Sequence, residues 1–237
     1  MGFRPVSGLP QSLQILLIAG LTEVSTEVAK TLVGSGIDAG LLRGGSFETK
    51  NLKKLVSTFG GIPLGVTLSE GGSESIAKII DSGCDFVVFS PKAPAGILNT
   101  EGIGKILEVK PNLDLGLVRA IDDLALSVDG VLIGEDEEKP YLTIEQLLVC
   151  QRFTGLLDKP LLMTLPSSSS AEQIHSLWRV GIDGVVIFAE RLEVFSELRK
   201  AVSNLPRRAK PRPTKTTAVL PRVVGEIDSE AGEEEEE

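Results

Sequence analysis

Gly181-Ile-Asp-Gly-Val-Val-Ile-Phe188 is the clearest copy of a phrase that occurs four times in the chain. The others are Gly36-Ile-Asp-Ala-Gly-Leu-Leu-Arg43, Gly83-Cys-Asp-Phe-Val-Val-Phe-Ser90 and Ser127-Val-Asp-Gly-Val-Leu-Ile-Gly134. Each is a small residue, any residue, an Asp, then a short apolar run. Such a run, bounded by turn residues and rich in Val, Ile and Leu, reads as a buried strand fed by a loop. Asp side chains readily bond nearby backbone, so Asp38, Asp85, Asp129 and Asp183 read as loop caps ahead of their strands rather than as catalysts.

Outward from these phrases the chain alternates regularly. Strands are expected at 13–19, 39–42, 63–68, 86–89, 113–118, 131–133, 161–165 and 185–188. Helical spacing is expected at 22–33, 50–59, 73–81, 101–109, 143–157, 171–180 and 192–202, with a short helix at 121–126. Alternation with short connections argues for a parallel sheet, and eight units argue for an α/β fold of the (β/α)8 TIM-barrel type. Pro63 to Asp85 and Pro160 to Asp183 look like copies of one quarter-barrel. An open doubly wound sheet is the alternative, but Ala19-Gly-Leu-Thr22 is not the Gly-rich fingerprint expected after its first strand.

The expected organisation is a lead-in over 1–12, a barrel over 13–203 and a tail over 204–237. The tail carries 6 basic and 8 acidic residues from Pro206 onward and ends in five glutamates. Proline, charge and low complexity predict a disordered segment. Its apolar stretch Ala218-Val-Leu-Pro-Arg-Val-Val-Gly-Glu-Ile227 is suited to docking on the barrel or on a protein partner.

The chain is 42% apolar but only 4% aromatic, which suits buried parallel strands. A net charge of −9 with no basic stripe argues against nucleic acid. The apolar runs are too short to span a bilayer, and no secretory signal opens the chain, so a cytoplasmic protein without a membrane partner is expected. Cys84 and Cys150 have neither metal-ligand nor disulfide spacing. Cys84 reads as a small core residue and His175 as a helix-surface residue. No resident cofactor or metal is expected; the acidic pairs Asp122-Asp123 and Glu135-Asp136 read as surface charge.

Active sites of such barrels lie past the C-terminal ends of the strands. The residues there include Arg43, Glu70, Lys92, Arg119, the run Ser167-Ser168-Ser169-Ser170 and Glu190. Glu70, Lys92 and Arg119 are the candidate acid/base set. Arg43, Ser167, Ser168, Ser169 and Glu190 are the candidate ligand-binding residues. Ser169 with Glu172 also fits a helix capping box.

The last third resembles the phosphate-binding TIM-barrel superfamily that includes thiamine-phosphate synthase, indole-glycerol-phosphate synthase and the ribulose-phosphate-binding barrels. Gly181-Ile-Asp-Gly-Val-Val-Ile matches the Gly-Ala-Asp-Gly-Val-Val-Val that leads into the eighth strand of that family. The resemblance implies an aldolase-type barrel for a small anionic metabolite, held by loops after the last two strands. As an enzyme it would be a lyase, isomerase or synthase of a phosphorylated or carboxylated compound. The sequence departs at the phosphate positions: Phe188-Ala189 replaces Gly-Ser, and serines replace the glycines after strand seven. A barrel without catalysis, recruiting a partner through its tail, is the other reading.

Overall fold

The computed structural model describes residues 15–44, 48–68, 73–123, 128–134, 141–188 and 192–206, and the side chains of these except 73–75. Its order is β1 (Leu16–Leu21), α1 (Thr26–Gly34), β2 (Ala39–Leu42), α2 (Thr49–Phe59), β3 (Leu64–Thr67), α3 (Ser73–Asp81) and β4 (Phe86–Phe89). A 3-10 turn (Ala95–Asn99) then leads to β5 (Gly104–Val109) and α4 (Leu115–Asp123). β6 (Gly130–Ile133), α5 (Ile144–Thr154), β7 (Leu161–Leu165), α6 (Ala171–Val180), β8 (Gly184–Phe188) and α7 (Glu193–Ser203) complete it. All eight strands are parallel, and β8 closes on β1 to form a (β/α)8 barrel. The tail from 207 onward, including 218–227, lies outside the described residues.

One stretch differs from the sequence expectation. Residues 101–109, expected as helix, contain β5, and residues 113–118, expected as strand, mostly belong to α4. Ile103, Ile106 and Leu107 fit a helical face as well as a strand, so periodicity alone misleads there. Asp114 decides the second stretch: its Oδ1 accepts the N–H groups of Gly116 (2.8 Å) and Leu117 (3.3 Å), opening a helix in the manner of an N-cap.

The recurring phrase forms a repeated lock at the N-terminal end of the barrel. The carboxylates of Asp38, Asp85, Asp129 and Asp183 accept the N–H groups of Leu17, Leu64, Lys105 and Leu161 at 2.8–2.9 Å. The N–H of each Asp in turn donates to the carbonyl of the same residue, again at 2.8–2.9 Å. Each even strand is thereby tied to the odd strand before it through both backbone groups of one residue. The leading glycines Gly36, Gly83 and Gly181 have φ of +80°, +84° and +98°. That left-handed turn ends the preceding helix and suits a residue without Cβ.

One apolar core lies between the sheet and the helices, and a second fills the barrel. Following hydrogen-bonded partners once round the barrel shifts the path eight residues along β1. With that stagger, inward side chains stack in layers of four from alternate strands. From the N-terminal end upward, the layers are Ala39, Phe86, Gly130 and Gly184; then Ile18, Gly65, Ile106 and Leu162; then Leu41, Val88, Leu132 and Val186. Phe86 fills the space left by Gly65, where a Cβ would stand 2.1 Å from its ring. Everything in these three layers is apolar or glycine. The fourth layer, at the C-terminal end, is Gly20, Thr67, Glu108 and Thr164, and its character is different.

Candidate functional site at the barrel mouth

The fourth layer and the residues just above it bring polar groups into an otherwise apolar interior. Glu108 points inward from β5, two residues beyond the inward-facing Ile106. Arg43 follows β2 directly, its N–H bonded to the Leu21 carbonyl at 2.7 Å. The Arg43 guanidinium reaches across the mouth to Glu108 Oε1 at 3.2 Å, with side-chain exposures of 39% and 25%. Its Cζ also stands 4.3 Å from the centroid of the Phe188 ring, a cation–π stack. Phe188 ends β8 and lays its ring over Gly20, where a Cβ would be 2.3 Å from Phe188 Cδ1. Gly134 similarly leaves room for Glu108, whose Oε1 would be 2.8 Å from a Cβ there. Two glycines, one on β1 and one after β6, therefore admit the two large side chains that Arg43 joins.

The threonines of the layer stand differently. Thr164 is 4% exposed, and its Oγ1 meets no hydrogen-bond partner among the described residues. The Oγ1 of Thr67, on the opposite side of the ring, is also buried and unpartnered. A buried hydroxyl without a bond costs about 1–3 kcal/mol relative to a satisfied one.

Of the sequence-selected residues, Arg43 occupies the mouth. Lys92 is exposed in the turn after β4, its N–H 3.3 Å from Ser90 Oγ. Arg119 lies on the exposed side of α4, a consequence of the exchanged strand and helix. Among the described residues no hydrogen bond or ion pair joins Lys92 or Arg119 to Arg43. Ser167 and Ser168 are exposed in the turn after β7, whereas Ser169 is buried and donates its hydroxyl to the Pro166 carbonyl at 2.7 Å. The capping residue of α6 is Ser170, one position beyond the expected Ser169, with its N–H bonded to Gln173 Oε1 at 2.9 Å. Glu70 and Glu190, like Glu135 and Asp136, lie outside the described residues.

Sequence reasoning misses Glu108, Thr67 and Thr164. The helical reading of its stretch hides Glu108, although Gly102 and Gly104 on one side and Pro111 on the other argue for a short element. The threonines lie within strands, not after them. No group of three or more His, Cys, Asp or Glu residues able to hold a metal occurs among the described residues. Burial pushes the Cys84 thiol up to about 11, with the Asp85 charge adding to the effect, and the Cys150 thiol up to about 12. Neither supplies a thiolate at neutral pH. His175 is exposed and stacks on Trp178 with ring centroids 5.9 Å apart.

No family model and no curated protein sequence matches the chain. Among solved structures it is similar to a mutant tryptophan synthase alpha-subunit of the hyperthermophile Pyrococcus furiosus, with 14% identity and a TM-score of 0.63, covering 81% of this chain and 97% of that one. It is similar to tryptophan synthase of M. tuberculosis in an open form with BRD0059 bound, with 16% identity and a TM-score of 0.60, covering 80% and 93%. The tryptophan synthase α2β2 complex of Pyrococcus furiosus gives 14% identity, a TM-score of 0.63 and the same 81% and 97% coverage. At these identities the likeness establishes the fold: the chain is built as the alpha-subunit barrels are, over nearly their whole length.

Proposed function

We propose that the barrel binds a small anionic metabolite at its C-terminal mouth, with Arg43 as the anion's partner. The observation that carries this reading is the Arg43–Glu108 pair spanning the mouth. Glu108 is the only ionisable side chain at an inward-facing position of the described strands, and it holds Arg43 over the ring. A half-exposed pair of this kind gains little net stability, so an incoming carboxylate or phosphate can replace Glu108 on the guanidinium at small cost. The exchange leaves Glu108 beside the ligand, where a carboxylate can take or return a proton. That is the chemistry of a lyase or isomerase acting on a phosphorylated or carboxylated compound. The similar alpha-subunit barrels are a fold-level analogy for such use.

The anion's place in this reading is the centre of the mouth, not the phosphate position past β7 and β8. The end of β8 carries Phe188, its ring over Gly20, and not the glycine that close backbone approach to a phosphate favours. The same ring favours a second reading, a barrel without catalysis that recruits a protein partner through its charged tail. The two separate in one experiment. Thermal shift with inorganic phosphate, sugar phosphates and small carboxylates is expected to raise the melting temperature of the wild-type chain. Arg43→Ala is expected to abolish the rise. No rise with any of them would leave the partner-recruiting reading standing.

A further inference from the structure

The polar layer has a property that an anion site alone does not require. An anion at the mouth needs the Arg43 cation, and in its absence Arg43 needs Glu108. Neither needs hydroxyls below them. Yet both threonines of the layer bury an Oγ1 without a partner. Valine has almost the same shape as threonine and no hydroxyl to satisfy, so in an apolar barrel it is the less costly residue. Each of the three layers beneath is apolar or glycine throughout.

The geometry also says where the threonines stand. Thr67 pairs in register with the inward-facing Val88, and Thr164 with the inward-facing Val186. β3 and β7 are four strands apart in a ring of eight, so the two side chains face each other across the barrel. Glu108 enters the same ring from β5, between them, and Gly20 faces it from β1. The gap above Gly20 is covered by Phe188, and the Phe188 ring carries Arg43. The layer is therefore a ring of two hydroxyls and one carboxylate, roofed by a cation on an aromatic ring.

We infer that Thr67, Glu108 and Thr164 form a hydroxyl-binding subsite, and that the ligand is a short hydroxycarboxylate with its carboxylate on Arg43. The inference rests on the reading of Arg43 given above. A threonine hydroxyl both donates and accepts, and an ionised Glu108 only accepts. A ligand alcohol, itself both donor and acceptor, can give its proton to Glu108 and accept one from a threonine. A plain carboxylic acid satisfies Arg43 and leaves the threonines as they are.

The test uses the full chain and two matched pairs of acids, glycerate against propionate and tartrate against succinate, titrated by calorimetry. Glycerate and tartrate are expected to bind at least about tenfold more tightly than their partners, the effect of one satisfied hydroxyl. Thr164→Val is expected to raise the melting temperature of the free protein and to remove most of that preference. Thr164→Ser, which keeps the hydroxyl, is expected to retain it. Equal binding within each pair would overturn the inference while leaving Arg43 as an anion site. So would a Thr164→Val protein that melts higher yet keeps the preference. Failure of all four acids to bind would overturn the inference; if inorganic phosphate and sugar phosphates also leave the melting temperature unchanged, the reading of Arg43 falls with it.

Discussion

The two ends of the barrel are built on opposite plans. At the N-terminal end one device is repeated four times, and in every copy an Asp satisfies both backbone groups of its partner residue. At the C-terminal end the arrangement does not repeat. Arg43, Glu108, Thr67, Thr164 and Phe188 each take a different part, and two of them bury polar atoms without a bond. A repeated and satisfied end is what stability alone produces. An irregular and partly unsatisfied end has given up some stability, as sites for ligands commonly do. The face of a barrel on which a residue stands therefore says more about its role than its chemical type does: four aspartates at one end hold strands, while one glutamate at the other is placed to exchange partners.

Three substitutions test that contrast. The largest effect is expected from Asp85→Ala, which strands the buried Leu64 N–H and removes a charge-assisted bond of 2.9 Å. A loss of about 2–3 kcal/mol is expected from urea unfolding, with Asp85→Asn recovering part of it. A loss below roughly half a kcal/mol, the scale of an ordinary surface substitution, would mean that the locks are ornament. Next is Gly20→Ala, whose Cβ would overlap the Phe188 ring. It is expected to cost about 1–2 kcal/mol through overpacking, and a Phe188→Ala background should remove most of that cost if the ring and the glycine are coupled. The smallest is Arg43→Met in the free protein. The pair it breaks is partly exposed, so a change within about 1 kcal/mol is expected. A loss as large as that from Asp85→Ala would make the mouth a structural element like the opposite end.

The fold is legible in the sequence because its signals are local and redundant. Four Asp phrases, glycine stops after helices and apolar runs of strand length all point to one alternation, so exchanging strand and helix over residues 101–118 leaves the barrel undisturbed. The site has no such redundancy. Arg43 can be found because it directly follows a strand that carries the recurring phrase. Glu108 cannot, since Lys105-Ile-Leu-Glu-Val-Lys110 satisfies a helical pattern, and only pairing with β4 and β6 shows it to be a strand. The same exchange puts Arg119 at a strand end in the sequence reading and on a helix in the structure. Thr67 and Thr164 look like ordinary β-branched strand residues in sequence. Their significance is an absence of partners, which is a property of the assembled ring.

Asp38 also joins the two ends of the barrel sequence. Besides the Leu17 N–H it accepts Arg199 of α7 at 2.5 Å, and Arg199 also bonds the Gly36 carbonyl at 2.5 Å. The four locks each join residues 21 to 24 apart in the chain, whereas the Arg199–Asp38 contact spans 161. Closing a loop costs about 0.6 kcal/mol more for each doubling of its length, so the longer closure is harder by roughly 2 kcal/mol. The locks belong to segments short enough to close on their own. The seam between the first and last strands requires nearly the whole chain, and beside it a helix from the end of the barrel clasps, through Arg199, the lock that ties β2 to β1.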